Sequence, residues 1–305
     1  MRLHAAARLG ASAALLWLAW QLAGGEAVLA TLAGADPVWI AAALLLSVPM
    51  HAISAARWVF TCRRIGLRLG YRRALADYYL AALANMLLPG GVGGDAARVW
   101  RHARREREHA GLRAALTGVL LERAAGQVAL ALLLVAGIAG NWQRLHWLAA
   151  LAAAIAILAA AAVAGLWLSA RWPRAARTLA ALAADARRAF LPAGVLAQQA
   201  AMSAAVVATY VAAFWCATWA VHAPLAAQDA LLAIPLVLTA MTIPVSVGGL
   251  GLREASAAAV WPLLGLTASA GAAAALLYGL AMLAGCAPGA LVLLCDRASP
   301  RHGHA

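Results

Sequence analysis

Charged residues are scarce in this sequence, and lysine is missing altogether. Only 11% of the 305 residues are charged and 65% are hydrophobic, whereas soluble domains have about 25% charged residues. This composition excludes a soluble enzyme, a DNA-binding protein and a disordered tail. Because there is no lysine, a phosphate-binding loop of the form G-x-x-x-x-G-K cannot occur. An ATP-driven machine would therefore need a separate subunit.

Cysteine is also rare, and the common catalytic motifs are missing. The four cysteines show neither C-x-x-C spacing nor a histidine at metal-ligand distance, so we interpret them as small apolar residues: Cys62, Cys216, Cys286 and Cys295. The sequence contains no H-E-x-x-H, G-x-S-x-G or paired-carboxylate motif. Residues 91–94 lack the strand and spacing of a dinucleotide-binding loop. We expect no enzymatic activity, no cofactor and no metal site.

What the sequence does contain is arginine, arranged in clusters between apolar runs. All 24 basic residues are arginine, against 11 acidic residues. The runs are long enough to span a membrane, and the predicted spans are 9–32, 38–60, 114–139, 147–169, 192–221 and 271–294. The first run also resembles a signal peptide. We interpret it as a retained helix, because no convincing cleavage site follows it.

The arginine clusters predict the topology of these six spans. They follow the second, fourth and last spans and precede the third, whereas the remaining connections contain only Arg144. By the positive-inside rule, the clusters and both termini lie in the cytoplasm. The sequence thus predicts a multi-pass integral membrane protein of the bacterial cytoplasmic (inner) membrane.

Two apolar segments do not fit into this count of spans. Segment 74–97 lies between two cytoplasmic clusters and is too short for two crossings, and segment 229–265 has the same problem at the opposite face. Both contain proline and paired glycines, and irregular backbone at membrane depth survives only inside protein or beside a watery cavity. We interpret both as re-entrant helical hairpins. Between the halves, 172–190 is either a helix at the cytoplasmic interface or a solvated connector.

The two hairpin tips repeat each other. Leu88–Arg98 and Ile243–Arg253 share the pattern P-x-x-V-G-G-x-x-x-R at an offset of 155 residues. The same offset aligns flanking spans that cross in opposite directions. We predict a single all-α transmembrane domain, 1–305, with an inverted repeat over 38–139 and 193–294, joined by span 147–169 and segment 172–190. Such folds place their binding site near the midplane, at broken helices.

The tips have the chemistry of an anion site. Glycine pairs expose backbone amides, the following helices present positive N-termini, and an arginine lies one turn further on: Gly93, Gly94 and Arg98 in one tip, Gly248, Gly249 and Arg253 in the other. The alternative is that the glycines only allow close packing while Arg98 reaches the cytoplasm. Arg253 favours function, because arginine that deep in a membrane costs roughly 2.5–3.5 kcal/mol.

Other polar residues complete the predicted substrate-binding set: Asn85, Asp95, Glu122, Arg123, Ser246 and Glu254. Glu122 is either the counter-ion of Arg98, a proton carrier or a structural helix-to-helix partner. Asp95 either caps its helix or balances Arg98, and we favour capping. Glu254 is a local counter-charge for Arg253 or a coupling carboxylate.

Arg57 lies near the end of its span. We interpret it as snorkelling toward the membrane surface.

At these residues the sequence resembles the flippase-like transmembrane family that includes the membrane half of lysylphosphatidylglycerol synthases. The matching motifs are N-x-L-L-P-G-x-x-G-G-D-x-x-R over Asn85–Arg98, L-E-R-x-x-G over Leu121–Gly126, and P-x-S-x-G-G-x-G-x-R-E-A over Pro244–Ala255. The resemblance implies a protein that moves lipids between leaflets, beside enzymes that make aminoacylated or glycosylated lipids. Because the sequence ends at Ala305, we expect no soluble aminoacyl-transferase domain.

We therefore predict translocation of an anionic or phosphate-containing lipid, or a lipid-linked intermediate, by alternating access at a midplane site. The expected partners are a membrane lipid as substrate and, as candidate protein partner, a lipid-synthesising enzyme or glycosyltransferase; no nucleic acid is expected. Two alternatives stay open. One is a non-transporting scaffold for a lipid-modifying glycosyltransferase, and the other is a secondary transporter of soluble anions.

Overall fold

The structure, a computed structural model, describes residues 2–88, 92–105, 111–141, 173–243 and 246–298. Within these ranges the chain is helical and contains no strand, which confirms the all-α prediction. The helices are α1 (Arg2–Ala23), α2 (Gly25–Ala33), α3 (Pro37–Arg64), α4 (Tyr71–Leu87), α5 (Gly93–Arg105), α6 (Gly111–Gly140), α7 (Pro173–Phe190), α8 (Val195–Ala220), α9 (Ala227–Ala240), α10 (Leu252–Val260), α11 (Ala268–Gly285) and α12 (Pro288–Ala298), with a 3₁₀ turn at Trp261–Leu264.

Four segments of the described chain are long and apolar enough to cross a membrane. They are α3, α6, α8 and Ala268–Cys295, the last of which contains α11 and most of α12. They coincide with four of the predicted spans. The predicted span 147–169 lies outside the described residues. A multi-pass membrane protein is therefore confirmed, and the count of six spans stays a prediction.

The first predicted span is not one straight helix. The chain bends by 82° between Leu9–Ala23 and Gly25–Ala33, so that these helices form a broken span or a re-entrant loop. Gly24 lies at the bend with φ of 68°, a left-handed conformation that glycine adopts without steric cost. The expectation of a continuous helix over 9–32 is corrected at this residue.

The first hairpin consists of α4 and α5, which run antiparallel. Near the tip, Gly94 packs directly on the backbone carbonyl of Ala81, where a side chain would clash. Further from the tip, Arg101 Nε donates to Asp77 Oδ1 at 2.6 Å. Tip residues 89–91 lie outside the described part of the chain. The predicted hairpin over 74–97 is thus a helix pair, although α5 continues to Arg105.

The second hairpin consists of α9 and α10, joined by a turn with three glycines at positive φ. A Cβ on one of them, Gly248, would lie 2.6 Å from the carbonyl oxygen of Met86 at the end of α4. The second tip therefore touches the first hairpin. Pro244 and Val245 lie outside the described residues.

The core of the bundle lies around α8, α10 and α11. Phe214, Trp261 and Tyr278 are almost completely buried there, and the Phe214 and Tyr278 ring centroids are 4.8 Å apart. Helix α3 packs along α8, and α6 packs on both α8 and α9. This arrangement places α6 between the two hairpins. Segment 172–190 forms helix α7, whose position relative to a membrane surface stays a prediction.

Candidate functional site

Glu122 of α6 is the centre of a buried charge cluster. Its Oε1 accepts a hydrogen bond from Arg57 Nη2 of α3 at 2.6 Å, and its Oε2 accepts one from Arg98 Nη2 of α5 at 2.8 Å. The three side chains are at most 4% exposed. Glu122 therefore ties three helices together, and its predicted partnership with Arg98 is confirmed.

Asp95, in the first turn of α5, is the second carboxylate of this cluster. Its Oδ1 accepts from Arg98 Nε at 2.8 Å, and its Oδ2 lies 2.5 Å from Arg123 Nη2 of α6. The amide of Asn85 approaches the same Oδ2 at 3.4 Å. The interpretation that favoured helix capping is thus corrected, because both carboxylate oxygens bind arginine.

Arg57 belongs to the cluster, contrary to the prediction that it snorkels. It is 3% exposed, and besides Glu122 it donates to Ser203 Oγ of α8 at 3.0 Å. A Cβ on Gly126 would lie 3.1 Å from Arg57 Nη2, so the glycine of the L-E-R-x-x-G motif leaves room for this guanidinium. The spacing of this motif, which puts Gly126 one turn past Glu122, is the feature of the sequence from which this position of Arg57 could have been predicted.

Two of the buried guanidinium nitrogens have no hydrogen-bond acceptor. Within the described chain, neither Arg57 Nε nor Arg98 Nη1 finds a partner. The Arg98 guanidinium instead lies between two rings, 4.9 Å from the Trp58 centroid and 5.0 Å from that of Tyr78. Cation–π contact offsets part of the desolvation of this charge, but these two guanidinium nitrogens still have no acceptor among the described residues.

The second tip arginine has its own, separate surroundings. Arg253 is 1% exposed and donates through Nη2 to Glu254 Oε1 at 2.6 Å. Its guanidinium packs against Gly279, where a Cβ would overlap it, and lies 5.6 Å from the Tyr278 ring. Glu254 Oε2 accepts from the Gly251 amide at 2.6 Å. Glu254 is therefore the local counter-charge, one of its two predicted roles.

Arg98 and Arg253 bind different carboxylates, Glu122 for Arg98 and Glu254 for Arg253. That both hold the same head group stays a prediction.

The chain itself occupies one of the glycine amides that were expected to be exposed, since the Gly94 amide donates to Asn85 Oδ1 at 2.8 Å. In the second tip, the Val247 amide donates to Ser12 Oγ of α1 at 2.7 Å. Ser246 is buried, and its hydroxyl has no partner among the described residues. Gly249 packs against Met241. The second tip is therefore closed by α1, which sequence spacing alone could not show.

A cavity of about 150 Å³ lies beside the charge cluster, between the two hairpins. Its polar lining side chains are Arg57, Tyr78, Glu122, Arg123, Gln127, Tyr210 and Thr242, and its other lining residues are Gly126, Leu130, Val206, Val207, Leu238 and Met241. The Arg123 side chain is 45% exposed, in contrast to the buried side chains of Arg57 and Glu122. Arg123 is thus the cluster's accessible cation. Such a site can bind an anion without a covalent step.

Comparison with known proteins identifies the family of this chain. No curated protein matches the chain. A family model described as the lysylphosphatidylglycerol synthase TM region matches residues 5–289, a range that includes both hairpins, the charge cluster and the cavity. The match confirms the family that the hairpin motifs indicated, and it links the chain to lipid handling in a membrane. The chain belongs to the family of the lysylphosphatidylglycerol synthase transmembrane region.

Proposed function

We propose that this protein translocates a lipid with an anionic, phosphate-containing head group between membrane leaflets. The observation behind the proposal is the cavity, which is lined by both arginines and aliphatic side chains. The family supports a role in lipid handling. Transport is proposed here as a cycle of binding and conformational change, with no catalytic step.

The two kinds of lining side chain match the two parts of a lipid. Guanidinium groups suit phosphate oxygens, since they donate several hydrogen bonds in a planar arrangement. Leu130, Val207 and Met241 offer apolar surface in the same cavity, as a glycerol backbone and the first acyl carbons require. A small water-soluble anion would gain nothing from these aliphatic side chains. The cavity therefore favours a lipid over the alternative of a soluble-anion transporter.

The size of the cavity implies that the protein must move. A volume of about 150 Å³ equals roughly five water molecules at about 30 Å³ each. It admits a phosphate group but not a whole lipid. Tyr78 of the first hairpin and Leu238 and Met241 of the second border this space. Displacement of either hairpin would open it, which is what alternating access requires.

The helix bounds support an inverted repeat as the basis of this movement. Shifted by 155 residues, α3 would occupy 192–219, close to α8, and α4 would occupy 226–242, close to α9. Helix α6 would occupy 266–295, close to the apolar segment Ala268–Cys295. We propose that the two halves have opposite orientations and that the site lies near the midplane.

We further propose that the protein resides in a bacterial cytoplasmic membrane with both termini inside, as the arginine clusters indicate. The family name links its members to the synthesis of an aminoacylated lipid. A lipid-synthesising enzyme or glycosyltransferase is therefore the proposed partner.

A substitution that fills the cavity tests the proposal. Gly126→Leu would place a side chain in the cavity and against Arg57, whereas Gly140→Leu on the same helix meets open space, with nothing within 4 Å of its Cβ. Each protein is reconstituted in vesicles of phosphatidylethanolamine and phosphatidylglycerol containing acyl-labelled fluorescent phosphatidylglycerol. A membrane-impermeant reductant then reports how fast inner-leaflet label reaches the outside.

We expect wild type and Gly140→Leu to move the label at similar rates, and Gly126→Leu to slow it by about tenfold or more, equivalent to at least about 1.4 kcal/mol in barrier height. Wild-type vesicles that move label no faster than empty vesicles would overturn the proposal and favour the scaffold alternative. Uptake of a water-soluble anion without lipid movement would favour the soluble-anion transporter.

A further inference from the structure

We infer that the cavity selects a head group with one net negative charge, and that Arg123 is the residue that makes this selection. The inference rests on the proposed function and specifies its substrate class. It concerns the charge balance of the cluster formed by Arg57, Asp95, Arg98, Glu122 and Arg123, which we call the charge cluster.

The charge cluster has one more cation than it has anions. Its three arginines are bridged by two carboxylates, each of which contacts two guanidinium groups. The other polar side chains that line the adjacent cavity are uncharged, namely Tyr78, Gln127, Tyr210 and Thr242. The neighbouring Arg101 has its own carboxylate in Asp77 and does not alter the balance. Among the described residues the charge cluster therefore has a net charge of one positive unit.

The unbalanced positive charge beside the cavity favours one type of ligand. A head group that enters the cavity gives up water around its own charge, and charge removed from water must be paired, or it costs several kcal/mol. A phosphodiester brings one negative charge and neutralises the charge cluster. A phosphomonoester brings up to two and leaves a surplus anion. A lysyl-esterified phosphatidylglycerol has two ammonium groups and one phosphodiester, so it adds positive charge to a site that already has an excess.

Arg123 is the member of the charge cluster that can meet a head group. Its side chain lines the cavity and is 45% exposed, whereas the side chains of Arg57 and Arg98 are at most 4% exposed. Its ion pair is with Asp95, which keeps a second partner in Arg98. Arg123 can therefore turn to a phosphate without leaving a carboxylate unpaired. Glu122 would likewise keep one arginine if the other left it, but the side chains of Arg57 and Arg98 are buried, whereas that of Arg123 is accessible.

The movement of Arg123 would also affect the first hairpin. Asp95 belongs to α5 and Arg123 to α6, so their ion pair ties the hairpin to the long helix beside it. A phosphate that competes with Asp95 for Arg123 weakens this connection. Head-group binding and release of the hairpin would thus be coupled through one guanidinium.

The test compares three acyl-labelled lipids in otherwise identical vesicles: phosphatidylglycerol, zwitterionic phosphatidylethanolamine and lysyl-phosphatidylglycerol. In wild type we expect phosphatidylglycerol to move about tenfold faster than the other two, the ratio that about 1.4 kcal/mol of discrimination gives. Arg123→Gln should lose this preference, whereas Arg123→Lys, which keeps the charge, should retain most of it. Arg113→Gln is the matched control, since Arg113 is an exposed arginine of the same helix.

Equal rates for all three lipids in wild type, or an unchanged preference in Arg123→Gln, would overturn the inference while leaving lipid translocation intact. If no lipid moves, the proposed function fails, and the retention of each lipid by detergent-solubilised protein from an equimolar mixture decides the inference instead. Preferential retention of phosphatidylglycerol that Arg123→Gln abolishes would support it. Equal retention would overturn it as well.

Discussion

The two hairpins share a sequence motif but differ in what surrounds their arginines. Arg98 of the first hairpin shares Glu122 with Arg57 of another helix, keeps a nitrogen without a partner among the described residues, and belongs to a charge cluster that borders a cavity. Arg253 of the second is held by the adjacent Glu254 and packed against Gly279. The same P-x-x-V-G-G-x-x-x-R pattern therefore produces a charge cluster beside a cavity in one half and a closed structural contact in the other.

The tip of the second hairpin is also enclosed, in this case by helix α1. The hydroxyl of Ser12 accepts the Val247 amide, and Gly251 packs directly against α1. In the first hairpin, the Gly94 amide donates instead to the side chain of Asn85, a residue of the same hairpin. The two tips also differ in backbone conformation, since Gly93 and Gly94 begin α5 whereas the aligned Gly248 and Gly249 lie in a turn at positive φ. The same motif therefore has a different local structure in each half.

The largest expected effect is a loss of unfolding free energy when a carboxylate that pairs with a tip arginine, Glu122 or Glu254, is neutralised. Glu122→Gln removes the carboxylate of Arg57 and one of the two carboxylates of Arg98, and breaking a buried ion pair costs about 3–5 kcal/mol. Glu254→Gln removes the partner of one arginine and should cost less. Unfolding free energies in mixed micelles, measured by denaturant titration with tryptophan fluorescence, provide the comparison. An equal or larger loss for Glu254→Gln would contradict the distinction between the hairpins.

A smaller effect is expected at the glycines that make room for the arginines. A Cβ on Gly279 overlaps the Arg253 guanidinium, whereas a Cβ on Gly126 lies 3.1 Å from Arg57 Nη2, next to the cavity. Overpacking costs typically about 1–3 kcal/mol, so Gly279→Ala should destabilise the protein by that amount and Gly126→Ala by less. The same unfolding titration measures both. Similar losses would show that the space around Arg57 is as tight as that around Arg253.

The smallest effect is expected at the contact between α1 and the second tip. Ser12→Ala removes the acceptor of the Val247 amide and should cost about 1 kcal/mol or less, as single hydrogen bonds in membrane proteins do. Hydrogen exchange should become faster at Val247 and its neighbours while the first hairpin is unaffected. Thr31→Ala is the control, since Thr31 bonds only its own helix. Unchanged exchange at Val247 would mean that α1 does not close this tip.

Much of the fold could be predicted because its signals are local. Four predicted spans coincide with long apolar helices, and both segments with proline and paired glycines became helix pairs. The partnership of Glu122 with Arg98 was also foreseeable, since isolated charges in apolar helices need a counter-ion. The break at Gly24 was missed because hydropathy does not register a bend between two apolar helices.

The role of Arg57 and the second partner of Asp95 were missed for a different reason. Both residues have local interpretations that are reasonable by themselves: snorkelling for Arg57, and capping or the observed pairing with Arg98 for Asp95. The partners that were missed belong to other helices: Glu122 and Ser203 for Arg57, and Arg123 for Asp95. Spacing along one helix contains no information about which side chains the neighbouring helices present.

The sequence by itself determined that this chain enters a membrane, where its two helical hairpins turn and which family it belongs to, because these follow from hydropathy, from glycine and proline, and from short motifs. Only the tertiary structure decided that one tip arginine joins a shared charge cluster beside a cavity while its counterpart is closed off. The physical reason is that a buried charge takes whichever counter-ion packing brings within reach, and packing is a property of the whole bundle.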